Sequence, residues 1–114
     1  MKSLRAVWRL LCLLLHVLRG LWWVGVRFPM LSSDQQHARV QVWSQQLLAV
    51  VGVRLRTVGQ PPVAGPVMLV ANHLSWLDIP VMHAARHCRF VSKADVKDWP
   101  LVGTLATAGG TLYI

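Results

Sequence analysis

The sequence predicts an α/β chain, with amino-terminal amphipathic, membrane-associated helices followed by the first part of an α/β domain with a partial sheet. Three observations predict it. Residues 1–28, MKSLRAVWRLLCLLLHVLRGLWWVGVRF, hold two apolar runs, Leu10–Leu15 and Leu21–Val26, interspersed with basic side chains. Val67–Ala71, VMLVA, is a short continuous apolar run of the kind that forms a strand covered on both faces. Cys88–Ser92 reads as a second short strand, and the stretches after each have helical character. A polar break divides the chain into an expected membrane anchor over 1–31 and a domain piece over 32–114.

Composition narrows the classes. With 114 residues there is room for one domain at most. Lys and Arg number 12 against 4 Asp and Glu, a net charge of +8, and 54% of residues are apolar. That apolar content excludes a wholly disordered chain. Two cysteines, Cys12 and Cys88, cannot build a disulfide scaffold, and no Cys-x-x-Cys pair exists for structural zinc. High charge on an apolar chain points to an anionic membrane surface rather than to nucleic acid.

The first segment is read as retained. Its basic start and apolar middle fit a secretory signal, but no small-x-small cleavage site follows Leu18. Advancing about 100° per residue from Lys2, Arg5 falls near 300°, Arg9 and Arg27 near 340°, His16 near 320° and Arg19 near 260°. The six basic positions share one arc, and Leu, Val and Trp fill the other. A spanning helix would bury Arg19 in hydrocarbon at about 2.5–3.5 kcal/mol, so an interfacial or re-entrant anchor is favoured.

Ser32, Ser33 and Asp34 then start a helix. Val40, Trp43, Leu47, Val50 and Val51 lie near helical spacing, and Gly52 ends it. Val53–Val58 alternates as a strand with one charged face, and GQPPVAGP is a loop. After the Val67–Ala71 strand come Asn72, His73 and a helix to about His87. Lys93–Ala108 reads as helix interrupted at Pro100, and Gly109-Gly110 turns into TLYI, a further strand.

The chemistry concentrates in VMLVANHLSWLDIP. On one continuous helix His73 and Asp78 would lie about 140° apart and could not meet. They meet if His73 occupies the turn and Asp78 the first helical turn. Ser75 is a good N-cap, Ser75-x-x-Asp78 resembles a capping box, and Pro80 belongs near a helix start. His73 is thereby placed beyond a strand's carboxyl end, where open α/β sheets bind ligands. A neutral imidazole there takes a proton near neutral pH, and Asp78 can hold its tautomer. The competing reading makes Asp78 a cap and His73 a turn residue. Ser75 lacks a nucleophile elbow.

ANHLSWLDIPVM resembles the first motif, N-H-x₄-D, of the glycerolipid acyltransferase family, which includes 1-acylglycerol-3-phosphate acyltransferases. CRFVSKADVKDWPLVGTLATAGGTLYI is similar to the segment leading into that family's second motif, through F-V-x-K, W-P-L-x-G and G-x-x-[FY]-I. The similarity spans residues 53–114, and several ordered motifs together make it specific. It implies direct acyl transfer: His73 activates a lysophospholipid hydroxyl for attack on the thioester of acyl-CoA or acyl-carrier protein. Asp78 would orient His73 and Asn72 would support the turn. Ser75 and Lys93 join Asn72 as candidate substrate-binding residues. No cofactor, no metal and no nucleic acid enter this reading, and the expected location is the cytoplasmic face of a membrane. The acidic-Arg continuation of the second motif, the Pro-Glu-Gly-Thr third motif and the proline of the fourth are absent from these 114 residues. An amino-terminal fragment is therefore expected, without turnover by itself. The alternative is an inactive truncated remnant acting as an interfacial membrane-binding module.

Weaker signals remain. His83 and His87, at i and i+4 beside Cys88, have a spacing a metal could use, but a solvated polar face is the simpler reading. Arg86, Arg89, Lys93 and Lys97 could meet phosphates of lipid or coenzyme, or simply be solvated. Trp8, Trp22, Trp23 and Trp43 suit a membrane interface, with a core role competing for Trp43.

Overall fold

The amino-terminal segment is helical because Leu, Arg and Trp dominate it and no proline occurs before Pro29. In the computed structural model, which describes residues 2–61, 66–72 and 74–114, α1 spans Lys2–Trp22. A π-helical turn, Trp23–Arg27, and a 3₁₀ turn, Phe28–Met30, prolong it. Ser32 caps α2, Ser33–Val51: its hydroxyl accepts from the Gln35 N–H at 3.3 Å, and the Gln35 side chain accepts from the Ser32 N–H at 3.0 Å. Gly52 closes α2 in the left-handed region, φ 81°, as its position predicts.

α1 and α2 pack in a way the angular reading does not anticipate. The buried residues of α1 are His16 and Gly20, while Arg5, Arg9 and Arg19 stay exposed. His16 is only 5% exposed, stacked on Trp43 with ring centroids 4.6 Å apart, and therefore does not belong to a solvent-facing basic stripe. His16 Nε2–H donates to the Trp43 carbonyl at 3.0 Å, and Trp43 Nε1–H donates to the His16 carbonyl at 3.2 Å. Gly20 permits the approach, since a Cβ there would stand 2.7 Å from Trp43 Nε1. Trp43 thus fills the core role. The opposite arc of α1, including Leu4, Trp8, Leu15 and Trp22, is left 53–68% exposed.

α3, Asp78–Ala85, lies against α2. Its last carbonyls, which lack partners inside the helix, are taken up by α2. The Gln41 and Gln45 side-chain amides both donate to the Ala84 carbonyl at 3.1 Å. Leu47, Leu48 and Ala84 are the buried apolar residues among those described.

Beyond α3 come β1, Val91–Ser92, a 3₁₀ turn, Ala94–Asp98, then α4, Val102–Ala108, and β2, Leu112–Tyr113. Pro100 separates the two helical pieces as expected. β1 and β2 pair in parallel, Val91 opposite Leu112 and Ser92 opposite Tyr113. This is a small strand–helix–strand unit.

Four expectations are corrected. Val53–Val58 forms no strand. Val67–Ala71 is also not a strand and is exposed, Met68 by 81% and Val70 by 89%. Each needs a partner for its backbone groups, and among the described residues only β1 and β2 pair. Cys88–Ser92 contracts to Val91–Ser92, and the helix expected to reach His87 ends at Ala85, where Arg86 is already extended at φ −158°. Pro62–Gly65, in the expected loop, lie outside the described residues.

Candidate functional site

Residues 74–78 form a tight turn into α3. The Asp78 N–H donates to the Ser75 carbonyl at 3.2 Å, and the Leu77 N–H to the Ser75 hydroxyl at 3.3 Å. The helix itself begins at Asp78 with Leu77 at the N-cap position, so Ser75 closes the preceding turn rather than capping α3. Pro80 falls at the third helical residue, where its missing N–H removes no intrahelical bond.

The Asp78 carboxylate turns back over this turn. Its Oδ2 accepts from the Leu74 N–H and, at 3.0 Å, from the Ser75 N–H. These two amides directly follow position 73. His73 itself lies outside the described residues. Asn72 is exposed in the segment before it, and Ser75 is exposed in the turn. Lys93 stands on a separate element, exposed at the entrance to the 3₁₀ turn after β1. A depression of about 350 Å³ lies elsewhere, lined by Val24, Lys97, Thr104 and Thr107 among others; none of Asn72, Ser75, Asp78 or Lys93 lines it.

His83 of α3 and His87 just beyond its end form a second cluster, and the expectation of a solvated face is corrected. His83 is buried, 5.0 Å from the Phe90 ring and 5.8 Å from His87, and His87 stacks on His37 of α2 at 3.9 Å. Both nitrogens of His87 and Nδ1 of His83 are buried without a hydrogen-bond partner. Among the described residues no group of His, Cys, Asp or Glu is arranged to hold a metal ion. Burial, and then the neighbouring His87, push the His83 pKa down to about 4. Burial raises the Cys88 thiol above its ordinary value, which suits an inert packing role.

A pH dependence follows. Unfolded, His83 takes a proton near pH 6.5; folded, only near pH 4. The unfolded state binds more protons between these values, so stability is full above about 6.5 and falls as pH drops toward 4, by up to about 3 kcal/mol. Urea midpoints at pH 7 and pH 4.5 should show the loss, and His83→Leu should flatten it. An equal slope in His83→Leu would remove His83 as the cause.

Sequence reasoning missed Gln41 and Gln45, although their i, i+4 spacing places them on one helix face. It also missed Arg39, whose guanidinium carbon lies 4.1 Å from the Trp23 ring centroid, a contact between separate elements with no local signature.

Over residues 45–114 the chain matches the family model described as Acyltransferase, and it belongs to that family. It is 39% identical over 95 residues to a lyso-ornithine lipid O-acyltransferase of Pseudomonas aeruginosa, covering 81% of this chain and 36% of that protein. It is 43% identical over 67 residues to the enzyme of the same name from Rhodobacter capsulatus, covering 59% and 24%. A 1-acyl-sn-glycerol-3-phosphate acyltransferase of Neisseria meningitidis is 39% identical over 70 residues, covering 60% and 27%. The chain thus spans about a third or less of the length of these curated relatives. No solved structure matches it.

Proposed function

We propose that the protein transfers a fatty acyl group from acyl-CoA or acyl-carrier protein to the hydroxyl of a lysophospholipid such as 1-acylglycerol-3-phosphate. His73 takes the hydroxyl proton as the oxygen attacks the thioester carbonyl. The C–S bond then breaks, and the proton passes to the departing thiolate. The observation that carries this reading is the Asp78 carboxylate folded onto the amides of Leu74 and Ser75, the two residues that follow His73 in the sequence. A carboxylate in that place can fix the imidazole's tautomer and stabilise its charged form. Asn72, Ser75 and Lys93 supply polar groups for the substrates.

Residues 1–31 act as an interfacial anchor at the cytoplasmic face, and 32–114 form the amino-terminal part of the acyltransferase domain. The outward Leu and Trp arc of α1 supports the anchor, and Lys2–Met30 is also long and apolar enough to cross a bilayer. The relatives' names make lyso-ornithine lipid a second acceptor worth assaying.

The test supplies the protein, expressed from its complete reading frame, with acyl-CoA or acyl-carrier protein and each acceptor. Formation of diacylated product is expected with at least one pair. Failure with every pair, alongside retained vesicle binding, would leave the membrane-binding remnant as the better reading.

A further inference from the structure

We propose that Arg27 and Arg39, gathered around Trp23 where α1 gives way to its π-helical turn, form together with Arg19 a binding site for a phosphate-bearing anion. The guanidinium carbons of Arg39 and Arg27 lie 4.1 and 5.5 Å from the Trp23 ring centroid. Two cations from different helices are thus held on one indole. Arg19 acts on Arg39 as a like charge, and no opposite charge acting on Arg39 is found among the described residues. Across residues 2–51 Asp34 is the only carboxylate. Burial, and then Arg19, push the Arg39 guanidinium below its ordinary value. Arg39 Nε is buried with no acceptor.

Like charges brought near one another with an unfilled donor are relieved when an anion joins them. Phosphate fits, because its oxygens accept bidentate guanidinium forks. The exposed Leu18 and Trp22 adjoin the cluster in sequence, so a lipid phosphate and a free phosphate are both available sources of this chemistry. The site does not depend on acyl transfer by His73.

Two arms test it. Calorimetry in neutral detergent titrates the protein with inorganic phosphate. Flotation compares phosphatidylcholine vesicles with and without phosphatidylglycerol. Arg39→Gln is expected to weaken binding about ten-fold, and Arg27→Gln provides a second variant on the other helix. Arg54→Gln, an exposed site outside the cluster, removes the same charge and should cost about two-fold or less. Loss in the vesicle arm alone identifies a lipid headgroup, loss in the calorimetric arm alone a soluble phosphate, and loss in both a site open to either. Equal weakening by Arg39→Gln and Arg54→Gln, or no weakening by Arg39→Gln and Arg27→Gln in either arm, overturns the proposal.

Discussion

Replacing His73 with Ala, in protein expressed from its complete reading frame, is expected to lower acyl transfer by about 10²–10⁴-fold, the range for losing a general base. The acceptor hydroxyl is a weak nucleophile while it keeps its proton, and no other base is proposed beside it. Membrane association should be unchanged, because α1 docks through His16, Gly20 and Trp43. Asp78→Asn should cost less. Its amide oxygen can still accept from Leu74 and Ser75, preserving the turn, but it no longer carries the charge that stabilises an imidazolium. The expected signature is a fall in kcat with KM little changed. Undiminished turnover by His73→Ala would end the proposed proton transfer.

Trp43→Ala should unfasten α1 from α2, at a cost of about 3 kcal/mol. The substitution deletes the stacking on His16 and the bond from Nε1, and leaves the His16 carbonyl without that donor. Gly20→Leu should reach the same state from the other side. Its side chain would need the space that the Trp43 indole fills, and such overpacking costs about 1–3 kcal/mol. Hydrogen exchange read along α1 distinguishes this from general unfolding: protection should fall in residues 2–22 before it falls in α2. Full protection of α1 in both variants would show that the helix is held by something else.

Local signals are legible in the sequence, and relational ones are not. Ser32 and Gly52 mark the ends of α2 because capping depends on one side chain or one dihedral at a fixed position. Pro100 divides the last helical stretch for an equally local reason. The Asp78 turn was legible in its essentials, since S-x-x-D sets a carboxylate within reach of the amide three residues earlier; only the helix start was displaced, to Asp78. Val53–Val58 and Val67–Ala71 failed because a strand needs a neighbour that its own sequence does not specify. His16 departs from the expected solvent-facing stripe for a related reason. Helical angles put it correctly among the arginines, but they carry no information about which side meets α2.

His83 and His87 show the same limit. An i, i+4 pair looks equally suited to solvent, metal or packing until the facing helix is known, and here His37 and Phe90 decide for packing.

α2 touches both of its neighbours through groups that tolerate little sliding: Trp43 toward α1, and Gln41 and Gln45 toward the end of α3. The greasy flank of α1 and the Asp78 turn are therefore parts of one bracket. If that flank floats at the level of lipid headgroups, the bracket works as a depth gauge. On the proposed acyl-transfer reading, how far α1 sinks would set how high above the acyl chains the Asp78 turn stands.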